Sequence, residues 1–98
     1  MADNGTIITA DTLVQRVDRE LLTSELGDEL VMMDVEKGNY ISLNKMGRII
    51  WDYLEEPITT QNLIAKLMER YNVDKDVCAR ETLEYLKEMY EKEIISMV

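Results

Sequence analysis

Residues 34–44, DVEKGNYISLN, decide the fold because they join a segment that reads as β-strand to a segment that reads as helix. Lys37 and Gly38 indicate a turn, since glycine tolerates the positive φ angles that tight turns require. Residues 39–43 then predict a short strand, and Asn44 is a favourable N-cap for the helix that follows. We expect this strand to supply an exposed edge, and that edge to be the functional surface.

Two further strands are predicted just before this stretch. Residues 20–26 (ELLTSEL) and 29–34 (ELVMMD) flank Gly27-Asp28, a dipeptide typical of a tight turn. With residues 39–43 they predict an antiparallel meander whose first and third strands are its edges. Residues 12–17 (TLVQRV) predict an extended arm, and the apolar tail, residues 94–98, is expected to dock on the core as a short strand or extended segment.

Three helices are predicted after the meander. The first begins at Asn44 and ends before Pro57, because the residue ahead of a proline is pushed out of the α region. Thr59 or Thr60 caps the second helix, and Asp74 caps a third that runs to about residue 92. The expected class is α+β, a three-stranded antiparallel sheet followed by three helices, similar to a winged helix-turn-helix. We expect residues 12–98 to form one domain after a flexible N-terminal segment, residues 1–11.

The formal net charge of −9 argues against binding to nucleic acid or to an anionic membrane surface. In the third helix and its cap, Lys75, Arg80, Lys87 and Lys92 are outnumbered by acidic residues. These are Asp74, Asp76, Glu81, Glu84, Glu88, Glu91 and Glu93. A DNA-binding winged-helix regulator is therefore the weaker alternative. The N-terminus has no secretory pattern and no apolar run approaches the length of a membrane helix, so we expect a cytoplasmic protein.

The residues that most enzymes need are missing from this sequence. It contains no histidine and a single cysteine, Cys78, so neither a Cys-His nucleophile pair nor an internal disulfide is possible. No glycine-rich phosphate loop is present. The glutamates Glu81, Glu84 and Glu88 alternate with basic residues, as on a solvated helix face. We expect no catalytic activity, no cofactor and no metal site.

The third helix has more apolar residues than one core contact requires. One stripe at helical spacing predicts the core face: Ala79, Leu83, Leu86 and Tyr90. A second stripe lies one residue earlier in the chain: Cys78, Thr82, Tyr85 and Met89. The second stripe either widens the core contact or faces sideways as the wall of a groove.

A groove also needs an opposite wall, and the predicted edge strand can supply one. An edge strand carries unpaired N–H and C=O groups that accept an added peptide strand. The sequence therefore predicts a peptide-binding site with two sides. One side is the strand Asn39, Tyr40, Ile41, Ser42 and Leu43, and the other is the stripe Cys78, Thr82, Tyr85 and Met89.

The same residues resemble the PqqD-like family, whose members are also called RiPP recognition elements. The resemblance covers most of the chain and is most specific in the pattern D-x-x-x-G-x-Y-x-x-L-N. That pattern is carried here by Asp34, Gly38, Tyr40, Leu43 and Asn44. The segment GRIIWDYL, residues 47–54, and the capped third helix add to it.

The resemblance implies a non-catalytic protein that binds the leader segment of a ribosomally made precursor peptide. The leader would join the third strand of the meander beside the third helix, and the protein would pass the precursor to a modifying enzyme. A free-standing chain is similar to the recognition proteins of lasso peptide biosynthesis, which serve a transglutaminase-like leader peptidase and an ATP-dependent cyclase. The alternative implied by the family is an adaptor for a radical SAM or other peptide-modifying enzyme.

Overall fold

The computed structural model describes residues 8–97, which form two three-stranded antiparallel sheets and three helices. Most of the predicted flexible segment, residues 1–11, lies outside the described residues. The elements in chain order are β1 (Leu13–Arg16), β2 (Leu21–Leu26), β3 (Glu29–Asp34), β4 (Asn39–Leu43), α1 (Lys45–Tyr53), β5 (Ile58–Thr59), α2 (Thr60–Arg70), α3 (Lys75–Glu91) and β6 (Ile95–Met97). Within the described part of the chain, no helix is long and apolar enough to cross a membrane.

The first sheet has the order β2-β3-β4 and confirms the predicted meander. Gly27 and Gly38 have φ angles of +64° and +70°, so each turn uses a backbone conformation that glycine adopts without steric cost. Between the two turns β3 is central, with Leu30, Met32 and Asp34 facing the core. The predicted α+β class, a three-stranded antiparallel sheet followed by three helices, is confirmed.

A second sheet, with the order β5-β1-β6, adds to the predicted architecture. The arm predicted at residues 12–17 is the central strand of this sheet, and Val14 on it is completely buried. The apolar tail supplies β6 and docks by strand pairing, as Arg16 pairs with Ile95. The short strand β5 was not predicted from the sequence, and it pairs on the other side of β1.

Side-chain caps begin the three helices at the predicted places. Asn44 Oδ1 accepts from the Gly47 N–H at 2.9 Å, and Asp74 Oδ2 accepts from the Asp76 N–H at 3.0 Å. Thr59 rather than Thr60 caps α2, accepting from the Asn62 N–H. Thr60 is instead buried, and its hydroxyl donates to the Thr12 carbonyl at 3.0 Å. The helices enclose a core of fully buried side chains: Met32, Ile50, Leu54, Leu63, Leu67, Leu86 and Ile94.

Candidate functional site

Strand β4 is an edge of the first sheet, because it pairs with β3 on one side and with no other strand of residues 8–97 on the other. The two-residue turn between β2 and β3 makes Leu26 and Glu29 a hydrogen-bonded pair. Hydrogen-bonded pairs alternate along antiparallel strands, so residues 29, 31 and 33 of β3 bond to β2, and residues 30, 32 and 34 bond to β4 on the other side. The partners of these last three on β4 are residues 43, 41 and 39. The N–H and C=O groups of Tyr40 and Ser42 therefore point away from β3. We call this side of β4 the free edge.

The side chains of β4 alternate between the core and the solvent. Ile41 and Leu43 are 4% and 7% exposed and pack in the core, whereas Asn39, Tyr40 and Ser42 are exposed. Tyr40 is 71% exposed, the highest value among the large apolar side chains of residues 8–97. Of the five predicted strand residues, Ile41 and Leu43 thus have neither a side chain nor an unpaired backbone group at the free edge.

A groove separates the end of β4 from α3, and it brings together part of the predicted site. We call it the edge groove; its volume is about 190 Å³, and Ser42, Leu43, Tyr85 and Met89 belong to its lining. Glu29, Asn44, Glu88 and Lys92 complete that lining. The sequence predicted the two walls, β4 and α3, but not the charged residues in the lining, Glu29, Glu88 and Lys92.

A second, more acidic recess adjoins the edge groove along α3. This acidic recess has a volume of about 380 Å³ and is lined by Asn44, Glu81, Glu84, Tyr85 and Glu88. Sequence reasoning assigned the three glutamates to a solvated helix face and missed their position beside the groove. The spacing was the available signal, because residues three and four apart share one side of a helix. Glu81 and Glu88 lie four and three residues from Tyr85, and Glu84 lies three and four residues from these two glutamates.

Tyr85 separates the edge groove from the acidic recess and is held in place by α1. Its hydroxyl donates to Asn44 Oδ1 at 3.1 Å, the same atom that caps α1. Gly47 lies beneath the ring, since a Cβ at Gly47 would lie 3.4 Å from Tyr85 Cε1 and 3.4 Å from Leu43 Cβ. The ring therefore rests against the start of α1, where a Cβ would already be in contact with it and a larger side chain would crowd it.

Three residues of the second α3 stripe lie in the core rather than facing sideways. Cys78, Thr82 and Met89 are 6%, 2% and 1% exposed, so of the two alternatives for this stripe they follow the one in which it widens the core contact, although Met89 also reaches the lining of the edge groove. Ala79, Leu83 and Tyr90 of the predicted core face are only half-buried. The physical reason is that α3 packs against both α2 and β6, which buries an arc of the helix centred between the stripes. Cys78 and Thr82 line neither the edge groove nor the acidic recess.

Ion pairs hold the turn from which β4 starts. Arg19 Nη2 donates to the completely buried carboxylate of Asp34 at 2.6 Å, and the Lys37 N–H donates to the same carboxylate at 3.3 Å. The hydrogen bond from Arg19, followed by that from the Lys37 N–H, lowers the pKa of Asp34 below its ordinary value, although burial opposes the shift. Lys37 Nζ also lies 2.8 Å from Glu93 Oε1, and this contact lowers the pKa of Glu93.

The family model for coenzyme PQQ synthesis protein D (PqqD) matches residues 29–95. A solved structure, described as TbiB1 in complex with the TbiA(beta) leader peptide, superposes with a TM-score of 0.74 at 24% sequence identity. The superposition covers 84% of this chain and 94% of TbiB1, so the two chains share a fold. A search of curated protein sequences found no match.

Proposed function

This chain belongs to the PqqD family, and we propose that it binds the leader segment of a ribosomally made precursor peptide as an added strand on β4. The free edge of β4 beside the edge groove carries this proposal. An edge strand with unpaired backbone groups is the usual platform for peptide binding by strand addition. The similar fold of TbiB1, solved with a leader peptide, supports the same assignment.

The energetics of strand addition require more than the backbone. The N–H and C=O groups of Tyr40 and Ser42 offer about four hydrogen bonds, each worth about 0.5–1.5 kcal/mol net. Association costs about 4–15 kcal/mol in lost translational and rotational freedom, and the ordering of the peptide adds to this cost. Side chains of the peptide must therefore contact the edge groove, where Leu43, Tyr85 and Met89 offer apolar atoms.

We infer that the protein is a cytoplasmic adaptor that carries out no chemistry on the peptide. In the lasso peptide setting it would present the precursor to a transglutaminase-like leader peptidase and then to a cyclase. The description of the matching family, coenzyme PQQ synthesis, favours a second candidate, an adaptor for a radical SAM enzyme. Titrating each purified enzyme into the protein–leader complex separates the two, since only the true partner forms a ternary complex.

The backbone of Ser42 provides a direct test of strand addition. Ser42→Pro removes an N–H that points to the free edge, and proline is tolerated at such edge positions. Loss of one hydrogen bond weakens the peptide Kd about 2- to 13-fold, and the proline ring at the edge weakens it further. Fluorescence anisotropy with labelled leader peptides, including the TbiA(beta) leader, measures the change.

Ser42→Ala is the matched control, because it removes the exposed hydroxyl and keeps the N–H. We expect this variant to bind as the wild type does. Circular dichroism and thermal unfolding establish that both variants are folded. Equal affinity of a folded Ser42→Pro variant and the wild type would exclude strand addition at this edge.

A further inference from the structure

Strand β2 is the second edge of the first sheet, and its outer side pairs with no other strand of residues 8–97. The backbone N–H and C=O groups that point away from the sheet are those of Leu21, Thr23 and Glu25, because the residues between them bond to β3. Natural sheets protect such edges with lysine, proline, a bulge or a covering helix. The six residues of β2 include no lysine or proline, pair with β3 without a break, and are exposed at five positions. This edge is therefore open to a further strand.

A cavity of about 420 Å³ lies on one side of this edge, between β2 and the end of α1, and we call it the arginine groove. The charged residues of its lining are three arginines and two acids: Arg16, Arg19, Arg48, Glu25 and Asp52. Within residues 8–97 Arg16 has no acid within 4.0 Å, and its guanidinium lies 4.4 Å from the centre of the Trp51 ring. The lining thus has a net positive charge in a protein with a net charge of −9. It favours an acidic side chain on an added strand.

On the opposite face of the sheet, β2 presents apolar side chains to the solvent. Leu22 and Leu26 are 54% and 62% exposed, with Ser24 between them. Leu22 also begins an apolar row across the sheet, because it lies opposite Met33, which lies opposite Tyr40. The side chains of a strand added to β2 would point alternately into the arginine groove and beside these leucines. The edge therefore suits a strand in which acidic and apolar residues alternate.

The sequence of β2 itself has this alternation, so a second copy of the chain can supply the strand. In an antiparallel pair with a twofold axis at Ser24, Leu22 lies opposite Leu26 of the second copy, and Thr23 lies opposite Glu25 of the second copy. The leucines then cover each other, and each Glu25 faces the arginine groove of the other copy with no acid directly opposite. An axis at Thr23 would instead place Leu22 opposite serine and Leu26 opposite a glutamate.

We propose that two copies of this chain associate through β2, with the twofold axis at Ser24, to form one continuous six-stranded sheet. The two β4 strands lie at the ends of this sheet, so both free edges remain available to a peptide. The inference goes beyond leader binding and does not depend on it. A single strand pair is smaller than the about 800 Å² per partner of a stable interface, so the dimer is reversible and depends on concentration.

Sedimentation velocity over a range of protein concentrations tests the association. It is run at about 0.15 M sodium chloride, where a screening length of about 8 Å limits the repulsion between two copies of like charge. Thr23→Pro removes an N–H that points away from β3, and the twofold axis removes two hydrogen bonds from the dimer. Its dissociation constant should therefore rise about 5- to 150-fold. Thr23→Ala keeps the N–H and Ser42→Pro changes the other edge, so both should dimerise as the wild type does.

Disulfide cross-linking tests the register without a proline. At the proposed axis the two Ser24 residues form a non-hydrogen-bonded pair with Cα atoms about 4.5 Å apart, within the range of a disulfide. The two Thr23 residues are diagonal neighbours about 7–8 Å apart, beyond that range. With glutathione disulfide as the oxidant, Ser24→Cys should form a cross-linked dimer at least about tenfold faster than Thr23→Cys. The single native cysteine, Cys78, is buried and is common to both variants.

The outcomes separate this inference from the proposed function. A wild-type protein that stays monomeric up to about 1 mM would overturn the inference, and so would a dimer that only Ser42→Pro weakens. Faster cross-linking of Thr23→Cys than of Ser24→Cys would overturn the axis at Ser24 and the charge match that depends on it. Leader binding lost in Thr23→Pro but kept in Ser42→Pro would place the peptide on β2 and overturn both proposals. A dimer that Thr23→Pro weakens, with leader binding unchanged, supports the inference.

Discussion

Asp34 is the residue at which the meander, the turn before β4 and the connection between β1 and β2 meet. Its side chain is completely buried, and its two oxygens accept from Arg19 Nη2 and from the Lys37 N–H. A buried carboxylate is stable only with such partners, because it has lost its hydration. The aspartate of the family pattern therefore supports the start of β4 rather than contacting a peptide.

The lowered pKa of Asp34 predicts how stability depends on pH. The folded protein holds the proton of Asp34 more weakly than the unfolded chain does. The stability from this group is therefore complete above the ordinary pKa of 3.8 and is lost as the pH falls through the lower folded value. We expect the difference in unfolding free energy between the wild type and Asp34→Asn to shrink as the pH is lowered from 7 towards 2.

Urea unfolding at a series of pH values measures this difference. Asp28→Asn is the control, because Asp28 is an exposed turn residue and the change in formal charge is the same. The difference between the wild type and Asp28→Asn should vary less with pH. A constant difference for Asp34→Asn across the same range would contradict the assigned role of the Arg19 contact.

At the scale of elements, the separation of α1 and α3 depends on Gly47. The ring of Tyr85, on α3, lies against this glycine at the start of α1 and hydrogen-bonds to the α1 cap. Asn44 therefore both caps α1 and lines the edge groove, so the position of the start of α1 affects the shape of the groove. A side chain larger than that of alanine at Gly47 should affect the groove although Gly47 itself is buried.

Substitutions at Gly47 test this connection. In Gly47→Ala the new Cβ meets its neighbours at 3.4 Å, an ordinary contact, and alanine favours the helix by about 0.5–1 kcal/mol. Gly47→Val adds two methyl groups and should lower the unfolding free energy by about 1–3 kcal/mol through overpacking. It should also move the NMR ring resonances of Tyr85 and weaken peptide binding, whereas Gly47→Ala should do neither. Unchanged Tyr85 resonances in Gly47→Val would contradict the packing described here.

At the scale of the whole molecule, the net charge of −9 surrounds the site with a negative potential. Such a potential increases the association rate of a cationic ligand and is screened by salt. The screening length is about 10 Å at 0.1 M salt and about 3 Å at 1 M. This long-range effect acts on the approach of the peptide rather than on the contacts that it makes once bound.

Association kinetics therefore distinguish steering from contact. For a peptide with a basic flank, we expect the on-rate to fall about tenfold or more between 0.05 M and 1 M sodium chloride. Stopped-flow anisotropy measures the on-rate, and the same peptide with its basic residues replaced by norleucine is the neutral control. If both peptides associate at the same salt-independent rate, the negative charge of the protein has no part in recognition.

The sequence alone determined the features that depend on neighbouring residues. Gly27 and Gly38 adopt the positive φ angles that their turns require, and Asn44 and Asp74 cap helices through atoms two or three residues away. Strands β2, β3 and β4 follow from these turns and from apolar content. The order of the first sheet, and hence the free edge of β4, was predicted because short turns leave no other simple pairing.

Only the tertiary structure decided the features that depend on residues far apart in the chain. The second sheet joins β1 to β5 and β6, and Tyr85 meets Asn44 across 41 residues. Periodicity indicated that α3 has a wide apolar arc, but the positions of α2 and β6 decided that Cys78, Thr82 and Met89 are buried. The same packing set Glu81, Glu84 and Glu88 beside the edge groove. Local propensity carries no information about which distant surfaces meet, because that outcome is decided by the burial of apolar surface across the whole chain.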